Sequence, residues 1–229
     1  MIISLTGFMG CGKSSVGRRL SQLLCCPFMD LDDVIVESAG RSIPEIFASE
    51  GEAGFRRMEL EALKSIIMTS EPRQCVPLAP SHSKAAGPSP YAGVRKCQFH
   101  THASSPKELQ SEDNTLILAL GGGTVMTPEC AEIVKELTCC IYLKASIETL
   151  MEHLSGEADG RPMLANTSSA DNSTSLRGAE RRGNPLYDRI AELMAQRSET
   201  YEKTAHIIID TNGKSIEAIA SEIVSMLNI

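Results

Sequence analysis

The chain has 229 residues, of which 42% are hydrophobic, and a formal net charge of −7 at pH 7. This length suits one globular domain with a sizeable core, and we expect a single domain over residues 1–229. The acidic balance leaves no basic surplus for binding nucleic acid, and no apolar run reaches the roughly 18 residues of a membrane span. Because the N-terminus lacks a signal-peptide pattern, we expect a cytoplasmic protein. We also expect the protein to be a monomer.

Short apolar strands alternate with amphipathic helices in the first third of the chain. The stretch IISLT predicts a strand, and apolar residues at helical spacing come after the glycine-rich segment that follows it. Ser42 and Glu45 form a capping-box pattern, which marks the start of a further helix. The other predicted elements of this third are strand 2–6, helix 13–24, strand 27–30, helix 31–39 and helix 52–68.

The rest of the chain continues this alternation but is interrupted twice. Residues 70–114 contain six prolines and no periodicity, so they predict a long flexible insertion, and residues 155–184 are rich in Gly, Ser, Asn and Asp. The predicted elements here are strand 115–120, helix 129–137, strand 139–143, helix 146–154, helix 186–203, strand 206–210 and helix 215–227. Strands that alternate with helices predict a three-layer α/β fold, in which helices cover both faces of a parallel sheet.

Residues 7–14, GFMGCGKS, fit the phosphate-loop pattern G-x-x-x-x-G-K-[ST] and lie between a predicted strand and a predicted helix. Backbone N–H groups of such a loop surround phosphate oxygens, while Lys13 can reach the β- and γ-phosphates and Ser14 can bind Mg²⁺. We therefore expect a nucleoside triphosphate here, and either water or a small metabolite could accept its γ-phosphoryl group. The predicted nucleotide-binding residues of the segment are Gly10, Cys11, Gly12, Lys13, Ser14 and Ser15.

Candidate groups for a phosphoryl acceptor follow at several points. Asp30 and Asp32 come directly after the second strand, where they could bind Mg²⁺ and an acceptor hydroxyl or cap the next helix. Three glycines at 121–123 end a buried strand and indicate close approach of the backbone to a ligand. The Cys11 thiol either is reactive or faces away from the phosphates, and we expect the second. The arginines that could pair with anionic groups, or could simply be solvated, are Arg56, Arg161 and Arg197.

Taken together, six segments resemble the shikimate kinase family. They are GFMGCGKSSVGRRL, FMDLDDVI, GRSIPEIFASEGEAGFRRMELEAL, LALGGGTV, RPML and AQRSETY, and they occur in the family's order. The second and third are far more specific than a phosphate loop alone. The resemblance implies a nucleoside-monophosphate-kinase-like P-loop fold with a five-stranded parallel sheet, a helical substrate-binding region and a lid. It also implies transfer of the ATP γ-phosphoryl group to the 3-hydroxyl of shikimate, giving shikimate 3-phosphate and ADP, on the route to chorismate and aromatic amino acids.

The same resemblance implies roles for individual residues. Asp32 is implied as the catalytic base, and Lys13 and Arg161 as the other catalytic residues, with Arg161 closing from the lid onto ATP. Asp30 and Ser14 are implied to hold Mg²⁺. The residues implied to bind shikimate are Asp32, Arg56, Gly121, Gly122 and Arg197.

The sequence departs from the family pattern in three places. The segment 70–114 is longer than family members need at this point, and the lid implied at 155–184 is enlarged. The stretch LMEHLSGEADG lacks an arginine that relatives often place against adenine, which leaves Lys214 as a candidate neighbour of the base.

Three alternatives remain at this stage. A kinase for another small polyol acid would share the phosphate loop without requiring both Arg56 and Arg197. A non-catalytic binding or regulatory protein of the same family would be favoured by the loss of Lys13 or Asp32, and both residues are present. A metal site formed by the cysteines and histidines of 70–114 would match no zinc-ligand spacing.

Overall fold

The computed structural model describes residues 1–69, 115–154 and 184–227. Its strands are β1 (Ile2–Thr6), β2 (Phe28–Asp30), β3 (Leu116–Ala119), β4 (Cys139–Lys144) and β5 (Ile207–Asp210). Its helices are α1 (Lys13–Leu24), α2 (Leu31–Ala39), α3 (Ile43–Thr69), α4 (Pro128–Leu137), α5 (Ile147–Leu154), α6 (Pro185–Thr204) and α7 (Ile216–Leu227), with a 3₁₀ turn at Thr124–Met126. The predicted insertion at 70–114, and all of the predicted lid except Asn184, lie outside the described residues.

The five strands form one parallel sheet in the order β2-β3-β1-β4-β5, which confirms the predicted α/β fold. β1 lies in the middle, between β3 and β4. Asp30 at the end of β2 is level with Ala119 at the end of β3. The carboxyl ends of all the strands therefore meet at one edge, where open α/β sheets bind their ligands, whereas Leu116 begins β3 at the opposite, amino edge.

Helices form the outer layers of the fold. α1 packs against α7, and α4 packs against α6. The core between the layers is mainly aliphatic, and it contains Tyr142 and Tyr201, whose rings stack with centroids 5.1 Å apart. Within the described ranges, no helix is both long enough and apolar enough to cross a bilayer.

No two cysteines of the described residues form a disulfide. Cys26 and Cys140 are buried in the core, whereas Cys25, next to the former, is exposed. Burial raises the pKa of the Cys140 thiol to about 12, so this side chain acts as a small apolar group.

The long helix α3 has two segments that meet at Gly51, where φ is 68° and ψ is −176°. The first segment begins after Ser42, whose backbone N–H donates to Glu45 Oε2 over 2.7 Å, and this contact confirms the predicted capping box. The second segment corresponds to the predicted helix 52–68 and carries Arg56 to the carboxyl edge of the sheet.

Candidate active site

The phosphate loop leads from the central strand β1 into α1. The backbone N–H groups of Lys13, Ser14 and Ser15 belong to the first turn of α1, where they have no partner within the helix and so can bind an anion. The Lys13 ammonium group donates to the carbonyl oxygens of Gly7 and Phe8, each over 3.0 Å. These bonds keep the lysine side chain folded over the loop, beside the predicted phosphate site.

Ser14 and Asp30 connect the phosphate loop to the end of β2. Ser14 Oγ donates to Asp30 Oδ2 over 2.6 Å, and Asp30 Oδ1 accepts from the backbone N–H of Asp32 over 3.1 Å. Asp30 therefore caps α2, as one of the two sequence-based interpretations predicts, and its other carboxylate oxygen faces the phosphate loop. A hydroxyl and a carboxylate are hard oxygen donors of the kind that Mg²⁺ prefers, and this pair fits such an ion. Among the described residues, no group of three or more His, Cys, Asp or Glu side chains is arranged to hold a metal.

Asp32 lies on the first turn of α2 and points into the site. Burial, and the negative charges of Asp30 and Glu59 nearby, raise the pKa of Asp32 to about 6. Its Oδ1 atom is buried and has no hydrogen-bond partner within the described parts of the chain. An acceptor oxygen with no partner is costly to bury, so this atom has the capacity to accept a hydroxyl proton from a bound ligand.

Glu59 is a fully buried carboxylate that the sequence-based analysis did not select as a site residue. Its Oε2 accepts from Arg56 over 2.5 Å, and its Oε1 accepts from Thr124 Oγ1 over 2.6 Å. Arg56 also pairs with the exposed Glu52 over 3.1 Å. Burial alone would lower the pKa of the Arg56 guanidinium, but these two carboxylates raise it above its ordinary value. Arg56 therefore stays charged and is held in one orientation.

The glycines at 121–123 make room for the charged side chains around them. A Cβ atom on Gly121 would lie 2.7 Å from Glu59 Oε1 and 2.9 Å from Asp32 Oδ1. A Cβ atom on Gly123 would lie 2.4 Å from the Arg56 guanidinium. The sequence predicts close approach of this backbone to a ligand; in the structure, the closest approach is to the side chains that form the site.

Arg197 reaches the same glycine segment from α6. It is only 7% exposed, its Nη1 lies 3.5 Å from the Gly122 carbonyl oxygen, and its guanidinium lies over the Phe8 ring. The Tyr201 hydroxyl also donates to the Gly122 carbonyl. Among the described residues, no carboxylate pairs with Arg197. A buried cation without a counter-ion is unfavourable, so this position is suited to an anionic ligand.

The remaining predicted site residues have different positions. Cys11 is buried beneath the loop, as expected of a thiol that faces away from the phosphates, and Ser15 is exposed on α1. Lys214 forms a 2.6 Å ion pair with Glu222 of α7. Arg161 lies outside the described residues.

Comparison with known proteins identifies the family. The family model for shikimate kinase matches residues 9–76 and 103–228. The chain belongs to the shikimate kinase family. Curated shikimate kinases from Geobacter metallireducens and Thermus thermophilus are 32% and 33% identical to it over 225 residues, which is 98% of this chain and 90% and 89% of those proteins.

Solved shikimate kinases share the architecture. The enzyme from Acinetobacter baumannii in complex with shikimate matches with a TM-score of 0.67 and 25% identity, over 99% of this chain and 92% of that chain. The enzyme from Bacteroides thetaiotaomicron matches with the same TM-score of 0.67 and 21% identity, over 100% of this chain and 99% of that chain, and supports the fold alone. The P-loop fold predicted from the shikimate kinase resemblance is therefore confirmed.

The sequence analysis did not predict three contacts that the structure shows in this member of the shikimate kinase family. Glu59 lies one helical turn after Arg56, a spacing that allows an ion pair and could have indicated its role. Thr124 and Tyr201 bond to partners 65 and 79 residues away in the sequence, and no local pattern indicates such contacts.

Proposed function

We propose that this protein transfers the γ-phosphoryl group of ATP to the 3-hydroxyl of shikimate, giving shikimate 3-phosphate and ADP. The observation that carries the proposal is Arg197, a buried cation for which the described residues offer no carboxylate, at the same sheet edge as the phosphate loop. A substrate that is a carboxylate and also carries hydroxyl groups would satisfy both Arg197 and Asp32 Oδ1, an atom to which the described residues offer no hydrogen bond.

ATP binds through the phosphate loop in this proposal. The free N–H groups at the start of α1 and the positive end of its helix dipole hold the phosphate oxygens. The nucleotide-binding residues are Gly10, Cys11, Gly12, Lys13, Ser14 and Ser15, together with Arg161. Lys13 has a flexible stem, so its ammonium group can turn from the carbonyls of Gly7 and Phe8 toward the transferring group.

Ser14 and Asp30 would hold Mg²⁺ beside the phosphates. When bound, the ion neutralises charge on the β- and γ-phosphoryl oxygens. Ser14 already lies at the phosphate loop, and the Asp30 carboxylate already bonds its hydroxyl, so both oxygen donors are in place without rearrangement of the backbone.

Asp32 acts as the base. Its Oδ1 atom accepts the proton of the 3-hydroxyl while the hydroxyl oxygen forms a bond to the γ-phosphorus. The bond from that phosphorus to the β,γ-bridging oxygen breaks at the same centre, and the electron pair leaves with ADP. With a pKa of about 6, Asp32 is ionised at neutral pH and is still basic enough to take a proton.

Arg56 and Arg197 hold the shikimate carboxylate from two sides of the glycine segment. Glu59, which also accepts from the Thr124 hydroxyl, fixes Arg56, and the Gly122 carbonyl anchors Arg197. Gly121 and Gly122 approach the ring of the substrate. Two arginines that converge on one carboxylate orient the ring, so that one hydroxyl faces Asp32.

A coupled assay of ADP release tests the proposal. Release should require shikimate, and gluconate at the same concentration should not replace it. The Lys13→Met variant should lose turnover and keep shikimate binding in titration calorimetry. ADP release that is equally fast without shikimate would show an NTPase instead, and shikimate binding without any ADP release would show a non-catalytic protein.

A further inference from the structure

The C-terminal end of α5 contacts the phosphate loop directly. His153 Nδ1 lies 2.8 Å from the carbonyl oxygen of Gly10. A carbonyl oxygen can only accept, so the proton of this hydrogen bond belongs to His153 Nδ1. Beside it, Leu154 is buried against Gly10, where a Cβ atom would lie 2.9 Å from Leu154 Cγ. Gly10 has a φ of 82°, so the loop adopts a left-handed turn at the point that α5 covers.

The peptide group that joins Gly10 to Cys11 is therefore held on both sides. Its carbonyl oxygen bonds to His153, and its N–H group donates to the Phe8 carbonyl over 3.3 Å. Fixing this peptide plane sets the direction in which the chain enters Gly12 and Lys13. Rotation of the plane would turn a carbonyl oxygen toward the phosphates, where it would repel them.

α5 is also anchored at its other end. Asn212, in the loop after β5, accepts with Oδ1 from the backbone N–H of Ser146 over 2.7 Å and from the Thr149 hydroxyl over 3.0 Å. Asn212 itself is fixed, because its N–H donates to Asp210 Oδ1 over 2.8 Å. A helix held at its N-terminal end can present a side chain at its C-terminal end in a defined place.

We propose that His153 is a positioning residue for nucleotide binding, which holds the phosphate loop in its phosphate-binding conformation through the Nδ1–H bond to Gly10. This inference rests on the proposed binding of ATP by that loop. His153 need not touch the nucleotide to act. Without the bond, the Gly10–Cys11 peptide samples other orientations, and the nucleotide must restore the correct one when it binds.

The size of the effect follows from a single hydrogen bond. The net contribution of such a bond corresponds to a roughly two- to tenfold change in an equilibrium constant. We therefore expect His153→Ala to weaken ADP binding, and to raise the KM for ATP, by about that factor. The KM for shikimate should stay within about twofold of the parent value, because the bond lies at Gly10 in the phosphate loop, whereas the side chains proposed to bind shikimate lie on α2, α3 and α6.

Three His153 variants and one control test the inference. ADP affinity is measured by titration calorimetry on the full chain, together with melting temperature and the two KM values. His153→Asn retains an N–H donor at nearly the same distance from the helix and should restore ADP affinity to within about twofold. His153→Phe retains an aromatic ring without the donor and should not restore ADP affinity.

The control is His206→Ala. This change removes a 3.0 Å bond from the Cys140 N–H to His206 Nδ1 at the amino edge of the sheet. The variant should have a lower melting temperature and unchanged ADP affinity.

Unchanged ADP affinity in His153→Ala would overturn the inference, and so would restoration by Phe as complete as that by Asn, because packing would then explain the effect. If His153→Ala does not fold, the comparison of the Asn and Phe variants decides between the donor and the ring. Shikimate-dependent turnover of the parent chain tests the proposed function separately, since ADP titration needs no shikimate.

Discussion

Arg56 donates to Glu59, one turn further along α3, over 2.5 Å, and Glu59 is fully buried beneath it. The second oxygen of Glu59 accepts from Thr124, directly after the glycine segment. Glu59 thus connects α3 to the turn after β3 and sets the orientation of the Arg56 guanidinium.

Replacing Glu59 by Gln should weaken shikimate binding and lower stability. The change removes a charge-assisted bond, worth about 1.5–3 kcal/mol, and places an amide where Arg56 needs an acceptor. Shikimate affinity should fall roughly tenfold or more, with ADP affinity unchanged. The matched control is Glu52→Gln: its side chain is 55% exposed, and exposed pairs contribute only about 0.2–1 kcal/mol. Equal losses in both variants would mean that Glu59 does not orient Arg56.

Asp32→Asn should abolish most of the turnover and yet stabilise the fold. Loss of a general base costs roughly 10²-fold or more in rate. Removing a carboxylate whose pKa is raised to about 6, mainly by burial, should add roughly 2 kcal/mol to the free energy of unfolding at pH 7, after allowance for its partial exposure. The neighbouring Asp33 is exposed, and Asp33→Asn should change neither quantity appreciably. Turnover near the parent rate in Asp32→Asn would show that another group is the base.

For Asp32, we also predict that its contribution to stability and the value of kcat/KM change with pH in opposite directions. Its pKa is about 6 in the folded protein and 3.8 ordinarily, so between these values the folded protein binds more protons than the unfolded chain. The contribution of Asp32 to stability therefore falls as pH rises through this window, whereas kcat/KM rises as the base ionises near pH 6. Chemical denaturation and initial rates across pH 4–8 measure the two. A rate profile that is flat around pH 6 would contradict the assignment of Asp32.

Arg197→Met should weaken shikimate binding without destabilising the fold. The methionine keeps an apolar contact with Phe8 and removes a cation for which the described residues offer no carboxylate partner. A loss of about 1.5–3 kcal/mol in shikimate affinity is expected, with a melting temperature equal to or above that of the parent. The control is Arg189→Met on the same helix, whose 2.8 Å pair with Glu192 is exposed. If shikimate affinity is the same in both variants, Arg197 does not bind the substrate.

Residues 77–102 should be dispensable for turnover. The family model matches the chain on both sides of this segment, at 9–76 and 103–228, and leaves it unmatched. Loop-closure entropy changes by only about 0.6 kcal/mol for each doubling of loop length, so a short Gly/Ser linker should keep the fold. Turnover within a few-fold of the parent is expected, with a similar melting temperature. A variant that melts normally but has lost its activity would assign these residues a part in the site.

The sequence predicts the strands and helices of the described residues well because their signals are local. Apolar periodicity locates β1 and α1, and the Ser42–Glu45 capping box marks the start of α3. Asp30 and Lys13 are found by the motifs that contain them. The roles of Asp30, Lys13 and the other proposed site residues stay predictions until they are tested by substitution.

What the sequence could not predict depends on strand pairing. In the register of β2 with β3, Asp30 pairs with Ala119, and this pairing places Asp32 next to Gly121. No local sequence pattern indicates which residues of two strands pair. The contacts of Tyr201 with Gly122 and of His153 with Gly10 likewise join residues more than 70 positions apart, at 79 and 143. The raised pKa of Asp32 follows from the same convergence, because it is caused first by burial and then by the negative charges of Asp30 at the end of β2 and of Glu59 on α3.

The start of β3 at Leu116 bears on how this chain could change during evolution. Leu116 lies at the amino edge of the sheet, whereas the phosphate loop, Asp32 and the glycine segment all leave from the carboxyl edge. A four-residue strand spans about 13 Å at the usual rise, and this distance separates the two ends. Sequence added before Leu116 therefore enters the sheet away from the reacting groups. The chain can therefore be lengthened at this point without a change at the strand ends from which the reacting groups leave.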